Sequence, residues 1–315
     1  MKLVSHINND GDLLQAWFDY YMNLGVTSFH LIVHGSRQEN ATLFRLKDSY
    51  PIVIEDTYDG TFTSEEKHRR LTTLLHRLRG EWLFLLDSDE FVELPYTPVT
   101  KTIRILELLG ANALYAPMLQ RLTRGGSIDT PEMIRDPFSE FPLGSVELYE
   151  KMGVRAAISK YPLFRCDERT SISDGGNHGT PHDSHTLLSP LRGVTHHFKW
   201  RSIVRKRLTN RINSPHTWRH QSVGFLAFLE KSSLRLPLAD SFVCTRAELL
   251  HRGLIVKAAT GSTVKHFLKR FLKYLPGPLE IALANSYHYV RRASRRALPS
   301  LAGARRRGQA GRVNY

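Results

Sequence analysis

Apolar residues along the first ninety positions alternate between two rhythms. Residues 3–5 read as a short strand. After it, Leu13, Leu14, Trp17, Phe18, Tyr21 and Leu24 recur at three- and four-residue intervals. That spacing predicts a helix with one apolar face, and Gly25 marks its end. Residues 29–33 read as a second strand, 42–48 as a helix and 52–54 as a third strand. In 62–79 the positions Leu71, Leu74, Leu75 and Leu78 again fit a helix, closed by Gly80 before the apolar run 82–86. The order is β-α-β-α-β-α-β, which predicts an α/β fold with a parallel sheet and helices on both faces. Right-handed crossovers bring the carboxyl ends of such strands to one edge, where Asn9, His34, Asp56 and Asp87 are expected.

Beyond this unit, 97–109 reads as a helix and 114–119 as a strand. Residues 120–150 carry Gly125, Gly126, Pro131, Pro137, Pro142 and Gly144, so a long covering loop is expected there. A second Gly- and His-rich loop spans 173–185. A basic helix is expected over 202–211, followed by weakly defined helices. The organisation read from this is a catalytic-type domain over 1–215, a helical extension over 216–290 and a basic, disordered tail over 291–315. Within the extension, residues 265–275 place Phe267, Leu268, Phe271, Leu272 and Leu275 on one face against Lys and Arg. Two readings stay open: a helix packed on the body, or one lying on a membrane surface with the tail arginines.

Charge changes the picture less than its total suggests. The 315-residue chain carries +14, but residues 281–315 hold eight Arg and no acidic residue, leaving 36 basic against 30 acidic side chains in the rest. A body at +6 suits phosphorylated small molecules or an anionic surface rather than a dedicated nucleic-acid face. Two cysteines, Cys166 and Cys244, cannot frame a disulfide scaffold, which points to a reducing cytoplasm. No window approaches the ~20 apolar residues of a membrane span, and the amino terminus lacks a signal-peptide apolar region. The expectation is a cytoplasmic protein, with peripheral membrane contact through 265–315 left open.

The chemistry concentrates at Trp82-Leu83-Phe84-Leu85-Leu86-Asp87-Ser88-Asp89-Glu90-Phe91. An apolar strand that stops in three carboxylates is where open α/β sheets hold ligands and metals. Two carboxylates one residue apart allow one to hold a hard divalent cation while the other reaches a hydroxyl or a bound water. The plainer alternative is that both aspartates cap the turn.

Asn9-Asp10 with Leu13-Leu14-x-x-Trp17, the Leu24-Gly25-Val26 turn, the strand at 29–33 and the 82–91 run together resemble a family-2-like glycosyltransferase of GT-A fold. Gly176-Asn177-His178 and Thr195-His196-His197-Phe198-Lys199-Trp200-Arg201-Ser202 are similar to the second signature block of that group. The resemblance covers roughly residues 1–215. It implies a mostly parallel, Rossmann-like sheet and transfer of a sugar from a nucleoside diphosphate sugar to a hydroxyl of a glycan or glycolipid. The expected outcome is inversion, with Mn2+ or Mg2+ as cofactor, in polysaccharide or glycoconjugate synthesis. It implies Asp89 as direct metal ligand, Asp87 at the donor ribose or the metal, and a late histidine completing the shell. Neighbouring residues on a strand face opposite ways, so one of His196 and His197 points inward, and His196 is preferred. Asn9 and Asp10 are expected to recognise the donor or to cap the next helix; His34-Gly35-Ser36-Arg37 departs from the family's usual Asp-containing loop, and Asp56, closing the third strand, is either a substitute donor contact or a turn residue. Lys199 and Arg201 either hold the diphosphate or face solvent. Glu90 orients the turn or touches substrate. Lys67, Arg69 and Arg70 either approach phosphate or, as preferred, form a solvated helix face. The catalytic base, which typically contributes roughly 10²–10⁴-fold, is sought among Glu132, Asp136, Glu140 and His178, with His178 and Asp136 preferred.

Other classes are weaker. No P-loop or Asp-x-Asp-x-Thr pattern is present. A non-enzymatic protein binding anionic membrane or nucleic acid through its basic carboxyl terminus is the alternative, although no specific nucleic acid is expected.

Overall fold

The computed structural model describes residues 1–172, 178, 186–213 and 219–257. The amphipathic stretch 265–275, the basic tail, and Gly176 and Asn177 of the Gly-Asn-His block lie outside the described residues.

The first half follows the apolar rhythm closely. Strand β1 (Lys2–Ile7), helix α1 (Leu14–Leu24), β2 (Ser28–His34), α2 (Ala41–Leu46), β3 (Ile52–Tyr58), α3 (Ser64–Arg77) and β4 (Trp82–Leu85) alternate as expected. All three pairings among these strands are parallel, in the order β3-β2-β1-β4. Helix α1 ends because Gly25 adopts φ +98°, open to glycine and strained for other residues, which lets Val26 N–H reach back to the Tyr21 carbonyl at 2.9 Å. Helix α3 begins at Thr63, whose hydroxyl accepts from Glu66 N–H.

After β4 the chain makes β5 (Glu90–Glu93), α4 (Val99–Leu108), β6 (Ala113–Leu122), α5 (Pro137–Glu140), β7 (Leu143–Ser145), α6 (Leu148–Lys151), β8 (Ser159–Arg165), β9 (Leu188–Arg192) and β10 (Val194–His197). It continues through α7 (Val204–Ile212), α8 (Arg219–Lys231), β11 (Phe242–Val243) and α9 (Arg246–His251). Strand β8 inserts antiparallel between β4 and β6. Strand β10 bridges β5 and β6, and β11 extends the sheet through β7. The result is an α/β architecture with helices flanking a large central sheet, parallel through its first half, consistent with the expected Rossmann-like GT-A class.

Two expectations need correcting. Residues 120–150 contain short regular elements, α5, β7 and α6, rather than one irregular loop. Part of the carboxyl-terminal segment is strand, pairing with β7 as well as supplying helices. Among the described residues no helix is long and apolar enough to cross a membrane.

One face of α1 fixes the acidic turn. Leu14, Trp17, Phe18 and Tyr21 are buried, with Trp17 packed on Phe18, Tyr21 and Phe29. The polar tips of the same side chains are satisfied by the segment after β4. Trp17 Nε1 and the Tyr21 hydroxyl both donate to the Glu90 carbonyl at 3.0 Å, and Val92 N–H donates to the Tyr21 oxygen at 3.0 Å. Removing the Tyr21 hydroxyl leaves Val92 N–H buried without this acceptor, and an unsatisfied buried donor costs about 1–3 kcal/mol. Tyr21→Phe is therefore expected to lower unfolding free energy by about that amount in denaturant titration, and an unchanged midpoint would contradict the clamp.

Candidate functional site

The backbone of the turn 87–90 sends its carboxylates into two different neighbourhoods. Asp87 faces α3 and β8. Its Oδ1 accepts from Lys67 Nζ at 2.8 Å and its Oδ2 lies 3.3 Å from Lys160 Nζ. Glu90 is 1% exposed, and its Oε1 meets Lys160 Nζ at 2.7 Å while its Oε2 accepts from Asp87 N–H at 3.1 Å. Burial works to raise Asp87, but Lys160 and Lys67 outweigh it and hold the carboxyl well below the usual range. Burial raises Glu90 despite Lys160. Burial likewise opposes the charge on Lys160, yet Asp87 and Glu90 together push its pKa up, so it stays an ammonium.

Lys67 was expected on a solvated helix face. It is buried instead, because the turn after β4 brings Asp87 against the first turns of α3. Lys160 carried no signal at all: it is one lysine in a short strand, and only the antiparallel insertion of β8 beside β4 delivers it to the acidic turn. His178 lies in the same neighbourhood. Its Nδ1 is 3.0 Å from the Ser159 carbonyl, so Nδ1 carries the proton and Nε2 is the ring's acceptor. Burial and then Lys160 lower its pKa to about 3, which keeps the ring neutral.

Asp89 faces the other way, toward β10 and α7. Burial would raise its carboxyl, but His197, Arg201 and Arg207 outweigh that and hold it below the usual range. Its Oδ2 lies 3.6 Å from His197 Nε2, 3.8 Å from Arg207 and 3.9 Å from Arg201. Asp10 ties this half to the end of β1. Its Oδ1 accepts from Arg201 at 3.0 Å and from Arg207, and its Oδ2 accepts from the Ser88 hydroxyl. Asp12 also pairs with Arg201.

The tautomer of His197 follows from its neighbours. Trp200 Nε1 is a donor only, and it donates to Gln120 Oε1 at 3.2 Å, which fixes that atom as the amide oxygen. His197 Nδ1, 3.1 Å from the same oxygen, must then be the protonated nitrogen. In the neutral ring the Nε2 lone pair faces the Asp89 carboxylate. Two acceptors at 3.6 Å need a proton or a cation between them. Asp89, Glu90 and His197 each offer a ligand atom, and these atoms lie within 4.8 Å of one another.

The preference for His196 is thereby corrected. Strand alternation does send only one of the two rings to Asp89, but the register of β10 against β5 and β6 makes it His197. His196 Nε2 lies 3.2 Å from Glu93 and its ring packs on Phe138, and burial lowers its pKa to about 4 despite Glu93.

The remaining expected residues divide. Arg201, read as a diphosphate ligand or a solvent-facing side chain, is neither: it is fully buried between Asp10 and Asp12. Lys199 is enclosed by aromatic rings, 3.9 Å from the Phe225 centroid, and burial together with Arg211 lowers it to about 7. The cations directed at Asp89 come from α7, where Arg207 and Arg211 share a face four residues apart. The basic helix was legible in the sequence, but which of its residues turn inward was not.

Asn9 sits in a left-handed conformation (φ 51°), its N–H donating to Asn40 Oδ1 at 3.1 Å and its carbonyl accepting from Arg207 at 3.0 Å. Asp56 is paired with Arg70. Asp136 is an exposed cap of α5, with both carboxylate oxygens accepting from Ser139. Glu132 is also exposed, and Glu140 Oε1 accepts from Arg135 N–H. The structure therefore gives Asp136 a capping position rather than a place in the 87–90 cluster.

No protein-family model matches the chain, and no curated protein matches it. Among solved structures it is similar to S. aureus TarS 1–349, at 11% identity over 99% of this chain and 93% of that one, with a TM-score of 0.34. The same protein in complex with UDP gives 10% identity over 100% and 93%, TM-score 0.33. An inositol-1-phosphate CTP transferase from T. maritima gives 14% identity over 41% and 56%, TM-score 0.21. Likeness this distant says nothing about chemistry, which rests on the residues themselves.

Burial keeps His6, with Lys67 adding to it, near a pKa of about 3, so three histidines (His6, His178 and His196) are neutral in the fold. Each has a folded pKa below its unfolded value of about 6.5, so the unfolded chain binds more protons and stability falls as pH drops below that value. His196→Asn is expected to make the loss of stability between pH 6.5 and 4 shallower, by up to about 1.4 kcal/mol per pH unit. Denaturant midpoints measured across that range check it, and parallel wild-type and variant profiles would contradict a buried neutral His196.

Proposed function

We propose that this protein is a divalent-metal-dependent glycosyltransferase that moves a sugar from a nucleoside diphosphate sugar to a hydroxyl of a glycan or glycolipid. Inversion at the sugar is part of the proposal, as is a place in polysaccharide or glycoconjugate synthesis. The observation that carries the metal half is the facing pair of acceptors, Asp89 Oδ2 and His197 Nε2, at the carboxyl end of β4. A carboxylate oxygen and an imidazole nitrogen suit Mn2+ or Mg2+, and the Gln120 contact that fixes the His197 tautomer is what a metal-ligating histidine requires of its outer nitrogen. When bound, the ion would neutralise charge on a departing diphosphate.

The protein's own residues supply the rest of the proposal. Arg207 and Arg211 bring guanidinium groups toward Asp89, where they would stabilise a diphosphate as its charge grows. Asn9, Asp10 and Asp56 keep a proposed place at the donor, with Asp10 acting by holding Arg201 and Arg207 in position. His178 is the proposed base: its Nδ1–H is committed to Ser159, so Nε2 remains to receive the acceptor's proton. Its depressed pKa makes it a weak base before substrate binds, and the negative charge of a bound donor would raise it.

The test is a thermal-shift screen of UDP-, GDP-, CMP- and dTDP-sugars with and without Mn2+, followed by turnover with the donor that shifts. Asp89→Asn and His197→Ala are each expected to remove the Mn2+-dependent shift and to lower turnover about 100-fold or more, while Asp136→Ala stays within about threefold of wild type. Metal-stimulated turnover surviving in Asp89→Asn would refute the assignment.

A further inference from the structure

The cluster at 87–90 holds more carboxylates than one divalent ion needs, and two of them are already matched. Asp87 and Glu90 face Lys67 and Lys160, at 2.8 Å and 3.3 Å on Asp87 and 2.7 Å on Glu90, so two negative charges meet two positive ones. Lys160 is 1% exposed and Lys67 10%, so these are internal partners rather than surface pairs traded with solvent ions. On the other side Asp10 and Asp12 pair with Arg201 and Asp10 also with Arg207, while Asp89 Oδ2 faces His197 Nε2 at 3.6 Å, Arg207 at 3.8 Å and Arg201 at 3.9 Å. These groups stand farther from Asp89 than the lysines stand from Asp87 and Glu90.

We propose that the ammonium groups of Lys67 and Lys160 are built-in counter-cations that withdraw Asp87 and Glu90 from metal binding, so that the site takes a single divalent ion on its Asp89 and His197 side. The inference rests on the metal site proposed above and deepens it. Lys160 lies between two carboxylates that would otherwise bridge a second cation, and Lys67 holds the remaining oxygen of Asp87. Both lysines act through the carboxylates, as positioning residues. They also keep Asp87 ionised and fixed in direction, which leaves it suited to accept from a donor hydroxyl.

The experiment is Mn2+ titration of the full chain followed by electron paramagnetic resonance, with no donor present, so that activity plays no part. Wild type is expected to bind one ion. Lys160→Met and Lys67→Met are each expected to gain a second site, whereas Lys160→Arg retains one. Circular dichroism and a cooperative melt establish that each variant is folded, and a failure of Lys160→Met to fold leaves Lys67→Met to decide. Two or more tight sites in wild type, or one site with unchanged affinity in the folded methionine variants, overturns the inference. No Mn2+ bound by wild type, with a second ion's worth of binding absent everywhere, instead overturns the metal site on which it rests.

Discussion

A guanidinium with no exposed surface constrains everything around it. Arg201 is fully buried between Asp10, at the end of β1, and Asp12, with Asp89 3.9 Å away at the end of β4. A charge of that kind is tolerated only when its partners are held in place, because the cost of stripping water from it is several kcal/mol and one missing carboxylate leaves it uncompensated. The ends of two parallel strands and the segment after β10 are therefore obliged to meet at one point. That point is the candidate site. Six residues later, in α7, Arg207 donates to the Asn8 and Asn9 carbonyls as well as to Asp10.

The same logic divides the acidic turn. Asp87 and Asp89 are two residues apart, yet they belong to different electrostatic environments, one made of lysines from α3 and β8 and the other of arginines and an imidazole from β10 and α7. The α1 aromatic face makes this separation rigid by accepting and donating at Glu90 and Val92. Structural satisfaction and chemical readiness coexist within four residues. Asp87 and Glu90 have their charge matched by lysines at 2.7–3.3 Å, while Asp89 faces the His197 imidazole at 3.6 Å and Arg207 at 3.8 Å.

His196 and His197 show how much turns on register. Both rings lie on one short strand, and their surroundings differ completely: His196 sits against Glu93 and Phe138, His197 against Gln120, Tyr149 and Asp89. A one-residue shift in the pairing of β10 with β5 and β6 would exchange them. Gly193 separates β9 from β10, and a Cβ there would come within 2.9 Å of the Glu93 carbonyl.

The sequence by itself determined the parallel half of the sheet and the location of the acidic turn, because helical and strand periodicities and the break from Trp82–Leu86 into Asp87 are local properties of the chain. It also determined that a histidine from the 195–202 block would face the turn. Only the tertiary structure decided which one, since strand parity is fixed by pairing partners far away in sequence. Asp10 and Arg201 meet across 191 positions, and Lys160 reaches Asp87 from a strand 73 positions later. No window of sequence contains both members of such a pair. Burial then sorted the charged residues, placing Arg201 and Lys67 inside as partners of Asp10, Asp12 and Asp87 while leaving Asp136 outside as a helix cap, because a charge goes inside where another chain segment supplies its opposite.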